Sequence, residues 1–159
     1  MSVMAHSSKV RDLLDRADAA RLAGRGDTAS RLYDEAASRC RDADDLDGWT
    51  RAVLGAAAVY LFGAVPGRLP AQLYDVLVRT IDDETRARLA AALARCWAYA
   101  GQSTRATRFA DEAVDCAERA GVPALLADCL DAALAAHWGR TRHTPSTHPT
   151  TRRRRRPHP

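Results

Sequence analysis

The chain has 159 residues, of which 47% are hydrophobic and only 6% aromatic, enough for a single domain with one sizeable core. No apolar stretch reaches the ~20 residues of a membrane helix, and the opening Met1-Ser-Val-Met-Ala-His-Ser-Ser lacks the charged-then-apolar plan of a secretion signal, so a cytoplasmic protein with no membrane partner is expected. The net charge of +4 is unevenly spread: residues 140–159 hold seven arginines and no acid, which leaves residues 1–139 mildly acidic and confines any nucleic-acid reading to the tail.

Ala-rich, Leu-bearing sequence laced with Arg, Asp and Glu is helix-forming material, and no alternating or β-branched run reads as a strand. Residues 1–8 are expected to be a disordered lead-in and residues 9–139 a helical domain. A first helix from about Ser8 to Ala23 sets Val10, Leu13, Leu14, Ala17, Ala20 and Leu22 on one broad face. Gly24 stops it, and Asp27 or Thr28 is expected to cap a second helix, which buries Ala29, Leu32, Tyr33, Ala36 and Cys40 and ends near Arg41.

The acidic run Asp42-Ala-Asp-Asp-Leu-Asp-Gly48 fails as a calcium loop, because Leu46 and Val53 stand where oxygen ligands are needed. It reads as a connector whose Asp47 caps helix three. Helix three, Gly48 to Phe62, is the most apolar segment, with Trp49, Val53, Leu54, Val59, Tyr60, Leu61 and Phe62. Gly63-Ala-Val-Pro66-Gly67 breaks it; no Gly-Lys-Ser/Thr follows, so this is not a phosphate loop. Pro70 suits the first turn of helix four, which is expected to pack Leu73, Tyr74, Leu77, Val78 and Ile81. Asp82-Asp-Glu84 then reads as a turn and an acidic helix start.

Helices five (Thr85–Ala100), six (Ser103–Ala120) and seven (Ala124–Trp138) follow, stopped by Gly101, Gly121 and Gly139. Beyond Gly139 there is no hydrophobic residue, so residues 140–159 are expected to be a disordered tail. The abruptness of that change, in a chain whose only lysine is Lys9, also reads as a truncated end or an out-of-frame stretch.

One motif occurs twice. Gly24-Arg-Gly-Asp-Thr-Ala29-Ser-Arg-Leu-Tyr33-Asp-Glu-Ala36 is echoed by Gly101-Gln-Ser-Thr-Arg-Ala106-Thr-Arg-Phe109-Ala110-Asp-Glu-Ala113. Glycine at a turn, followed by small, aromatic and small residues at helical spacing, resembles the second helix of the tetratricopeptide repeat. Ala29, Tyr33 and Ala36 match it, and Ala106, Ala110 and Ala113 match again, with Ala110 in the aromatic's place and Phe109 beside it. The resemblance implies an all-α fold of about seven helices, stacked as antiparallel hairpins in a right-handed superhelix. The Arg/Ala-rich texture, with Leu73-Tyr-Asp-Val-Leu77 and Ala135-Ala-His137-Trp138-Gly139, is similar to repeat regions of large actinobacterial regulators that join an ATPase to a LuxR-type DNA-binding domain. That implies a bacterial signalling or transcriptional role, although neither a Walker motif nor a helix-turn-helix domain is visible.

By position within that family, the concave face would be lined by Arg11, Leu14, Asp18 and Arg21 of the first hairpin and by Arg88 and Arg95 of the third, and would take another protein or a peptide. Helix seven is the first half of a hairpin without its second half, so the face bearing Leu126, Leu130 and Leu134 is expected to lack a full partner and to favour self-association. The competing reading is phosphate-backbone binding by Arg152, Arg153, Arg154, Arg155 and Arg156. Four scattered cysteines, Cys40, Cys96, Cys116 and Cys129, show neither zinc nor disulfide spacing, and His137 with Trp138 reads as a packing pair. No nucleophile-and-base order stands out, so a non-enzyme without metal or cofactor is expected. The acid pairs Asp34-Glu35 and Asp111-Glu112 are expected to bridge to Arg31 or Arg108.

Overall fold

Seven α-helices make up the described residues of the computed structural model: α1 (Ser2–Leu22), α2 (Gly26–Asp42), α3 (Leu46–Val59), α4 (Leu69–Leu77), α5 (Asp83–Tyr99), α6 (Ser103–Ala120) and α7 (Pro123–Thr141). The structure describes the backbone of residues 2–59 and 67–141 and the side chains of 8–59 and 67–138, and there is no strand among them.

The hairpin turns follow from residues that tolerate a left-handed backbone. Gly24 and Gly101 take φ of 71° and 74°. The following amide reaches back across the helix end in both, Arg25 to the Ala20 carbonyl at 2.9 Å and Gln102 to the Trp97 carbonyl at 2.8 Å. These bonds satisfy carbonyls that the ended helix leaves orphaned. Arg25 and Gln102 then start the next helix from nearly identical angles, φ −89° with ψ 67° and φ −92° with ψ 67°.

The two glycines are 77 residues apart, and the same shift carries the end of α1 onto that of α5 and the starts of α2 and α3 onto those of α6 and α7. It also carries Asp44, at φ 56°, onto Gly121, at φ 67°. The backbone of α1–α3 is thus restated in α5–α7, with α4 between them.

Consecutive helices pack against one another, and the odd-numbered ones also meet in series, α1 on α3, α3 on α5 and α5 on α7. The core runs through all seven and is built largely from alanine. Ala29, Ala36, Ala52, Ala87, Ala90, Ala91, Ala94, Ala106, Ala110 and Ala113 are fully buried. Small side chains at the crossings let helix axes approach to about 8 Å. On the outer side α4 meets α6 through Tyr74 and Phe109, whose rings lie edge to face with centroids 6.2 Å apart.

Several details differ from expectation. α1 begins at Ser2 instead of near Ser8, and Leu22, at its end, is 78% exposed. No side chain caps α2, neither Asp27 nor Thr28. The cap of α3 is Asp45, whose carboxylate accepts from the Gly48 amide at 2.9 Å; Asp47 lies inside the helix. α4 ends at Leu77, so Ile81 falls in the connection to α5, 95% exposed, and Tyr74 and Val78 are also exposed. At the start of α5 the Asp82 carboxylate accepts from the Thr85 amide at 2.8 Å, an acidic start of the expected kind. Tyr60, Leu61, Phe62 and the Gly63–Pro66 break lie outside the described residues, as does the tail beyond Thr141.

Candidate functional site

The series of odd-numbered helices leaves an open groove along one side of the molecule. One part, of about 570 Å³, is walled by α3, α5 and α7. The other, of about 780 Å³, is walled by α1, α3, the α4–α5 connection and the start of α5. Leu54, Ala58 and Arg88 line both, so the two are continuous. The floor is apolar and shallow, with Leu54, Gly55, Ala57, Ala58, Ala92 and Leu125, and the rim carries arginines and aspartates.

Ion pairs between odd helices hold that rim. Arg51 of α3 reaches Asp15 and Asp18 of α1 at 2.8 and 2.6 Å. Arg95 of α5 reaches Asp128 and Asp131 of α7 at 2.7 and 3.3 Å, and also donates to the Asp128 carbonyl at 2.8 Å. The shift of 77 residues maps Asp18 onto Arg95 and Arg51 onto Asp128, so the two bridges occupy the same place with the charges exchanged. Arg88 pairs within its own helix with Glu84 at 2.6 Å, and the Arg79 guanidinium lies 5.0 Å from the centre of the Trp49 ring.

Beneath the Arg51 bridge sits Tyr33, fully buried, with its hydroxyl donating to Asp18 in a short hydrogen bond. Burial pushes the Asp18 carboxyl up, but hydrogen bonds from Tyr33 and Arg51 and the charges of Arg51 and Arg21 outweigh it, leaving it below the ordinary carboxylate value. Burial and the Asp18 hydrogen bond push the Tyr33 phenol the other way, above its ordinary value. The ring reaches this depth because α3 offers Gly55: a Cβ there would stand 2.3 Å from the Tyr33 ring, closer than any real contact.

The expected groove residues divide. Asp18, Arg21, Arg88 and Arg95 do line the groove. Leu14 does not: it is 3% exposed and belongs to the core, because α1 turns that face toward the other helices. Arg11 is exposed but is not among the lining residues. The six packing residues Ala29, Tyr33, Ala36, Ala106, Ala110 and Ala113 are all fully buried. The acid pairs choose other partners than expected. Glu35 bridges to Arg39 at 2.6 Å and Glu112 to Arg86 of α5 at 2.6 Å, while Arg108 lies over the Phe109 ring. Arg152–Arg156 lie outside the described residues.

Arg51, Trp49, Arg79 and Gly55 were not foreseen as site residues. The signal that pointed to Arg51 was the 77-residue shift itself, hidden because like positions carry opposite charges.

The four thiols are free and buried. Burial raises those of Cys40 and Cys129 to about 11 and that of Cys96 to about 12, so they are protonated and poor nucleophiles at neutral pH. Among the described residues, no three His, Cys, Asp or Glu side chains gather as a metal ion requires. What the groove offers is a binding surface: an apolar floor with guanidinium and carboxylate groups held in fixed positions along it. Comparison with protein-family models, with curated proteins and with solved structures finds no match for this chain.

Proposed function

We propose that the chain is a non-catalytic interaction module, built from stacked helical hairpins of the tetratricopeptide kind, that holds a peptide segment of another protein along its groove. The observation that carries this reading is the continuity of the groove over four successive odd-numbered helices. A single extended segment lying along it would meet α1, α3, α5 and α7 in turn. Paired arginines and aspartates suit recognition of backbone amides and polar side chains, because their geometry is set before the ligand arrives and little ordering entropy remains to be lost. A regulatory role in bacterial signalling or transcription, as a right-handed superhelix in the cytoplasm, is the setting we infer for such a module.

The test uses Ala58, which is exposed and lies where the two parts of the groove join. A random peptide display library selected on the full chain should yield a shared motif. Ala58→Trp should weaken the selected peptides by about 10-fold or more, equivalent to ~1.4 kcal/mol, with helical circular dichroism unchanged. Peptides that bind Ala58→Trp as well as the parent chain, or that depend on residues 140–159 instead, would overturn the groove reading; salt-sensitive nucleic-acid retention lost on the same deletion would place the activity in the arginine run.

A further inference from the structure

The connection from α4 to α5 is short and firmly held. Thr80 is buried in its middle, and its hydroxyl donates to the Val76 carbonyl at 2.9 Å. The Arg86 guanidinium of α5 donates to the carbonyls of Leu77 and Thr80 at 3.2 and 3.0 Å, and is itself held by Glu112 of α6 at 2.6 Å. The Asp82 carboxylate closes the segment by accepting from the Thr85 amide. Polar groups bonded in this way fix the shape of the connection.

The side chains on either side of Thr80 are left over, and both line the groove. Ile81 is almost wholly exposed, an aliphatic group on the groove's lip. Arg79 sits over the ring of Trp49, which is buried, so its guanidinium is held from behind. In this it differs from the other arginines of the same part of the groove. Arg51 has Asp15 and Asp18, Arg88 has Glu84, and Arg21 lies in the field of Asp18. Among the described residues no carboxylate comes within ion-pair distance of Arg79, whose contact is the Trp49 ring. The acids that share its wall are engaged elsewhere. Asp18 accepts from Tyr33 and Arg51, Asp82 from the Thr85 amide, and Asp47 lies in the first turn of α3, where free helix amides favour an anion. The charge left uncompensated on this wall is positive, and it stands two residues from an uncovered aliphatic side chain.

We propose that the segment held by the groove is an acidic one, with a carboxylate side chain that pairs with Arg79 and, two residues away, a large apolar side chain that covers Ile81. The inference rests on the groove reading above and adds to it the chemistry of the ligand. With the ring behind it, the guanidinium keeps its edge donors for a carboxylate, the partner whose planar fork matches its own. In an extended segment, residues two apart face the same way at a spacing of ~7 Å, so one stretch meets both groups at once. The fixed connection leaves little ordering entropy to be lost when it does.

Peptides selected from a random display library on the full chain, and weakened by Ala58→Trp, should share an acidic residue two positions from a large apolar one. Replacing that acid by lysine should weaken binding about 10-fold, and Arg79→Glu should weaken the parent peptide to a similar extent while restoring the lysine peptide. Arg79→Gln should erase the distinction between the two peptides. Ile81→Ser, at an exposed position, should cost the parent peptide about 10-fold and a peptide with alanine in the apolar place almost nothing. The exchange of preference is a readout that a merely structural role of Arg79 on Trp49 would not produce. Ala58-dependent peptides without a shared acid, or a lysine peptide that Arg79→Glu does not restore, would overturn the acidic ligand and leave the groove reading standing. Peptides indifferent to Ala58→Trp would overturn both.

Discussion

The helices α1–α3 and α5–α7 share one backbone plan and fill it in opposite ways. In the first, Tyr33 drives an aromatic ring between α1 and α3, and the facing position is Gly55. In the second, the corresponding residues are Ala110 and Ala132, both fully buried, and the bulk has moved one place to Phe109, which turns to Tyr74 of α4. The inter-helix bridge likewise keeps its place while exchanging acid for base, since the attraction between two charges is the same whichever helix carries which. Turn chemistry therefore sets the hairpin, and volume and charge are adjusted pairwise inside it.

The largest effect should come from removing the ring that distinguishes the two halves. Tyr33→Ala should cost about 3–5 kcal/mol in urea unfolding, whereas Ala110→Gly should cost only about 1 kcal/mol. If the two changes cost the same, the ring is not what holds the first half. Next in size is Gly55→Ala, where the added methyl meets the ring and should cost about 1–3 kcal/mol. In the Tyr33→Ala background the same methyl has room and should be neutral or favourable. A double-mutant cycle measures that coupling, and its absence would separate Gly55 from Tyr33.

A smaller effect depends on pH. Because the folded chain holds Asp18 below its ordinary carboxyl value, the stability it contributes is fully present above that value and is lost as pH falls through the lower, folded one. Acid unfolding below about pH 4 should therefore be blunted in Tyr33→Phe, which removes one of the bonds that hold Asp18 ionised. Equal acid sensitivity in both proteins would show that Tyr33 plays no part in it. The smallest effect concerns the exchanged bridges, both of them partly exposed. Arg95→Asp should cost about 1 kcal/mol, and adding Asp128→Arg should recover most of it. A pair that fails to recover would mean that the second half depends on one polarity for a reason beyond the bridge.

The helices themselves were legible from the sequence because glycine, alanine and leucine spacing is local information. α6 coincides with its expected bounds, and the six residues expected to pack as the repeat does, Ala29, Tyr33, Ala36, Ala106, Ala110 and Ala113, are buried, while Leu32 of α2 is only half-buried. The cap of α3 was harder to read, since Asp42, Asp44, Asp45 and Asp47 all carry a suitable carboxylate. The left-handed turn at Asp44 is what aims Asp45 at the Gly48 amide. Ile81 was misplaced because its apolar character fits a helical spacing that the chain abandons after Leu77. The groove was legible only as a face of α1 and α5. The contributions of Arg51 and Gly55 arise where α3 meets α1 and α2, and that of Trp49 where Arg79 of the α4–α5 connection reaches its ring, and no spacing within α3 announces these neighbours.

The fit of Gly55 against Tyr33 also constrains how this chain can diverge over generations. Enlarging residue 55 first produces a collision, and shrinking residue 33 first leaves a void, so any single step passes through a weakened intermediate. Lineages carrying this pair should hold both residues or replace both together, while Ala110 and Ala132 remain free to drift one at a time.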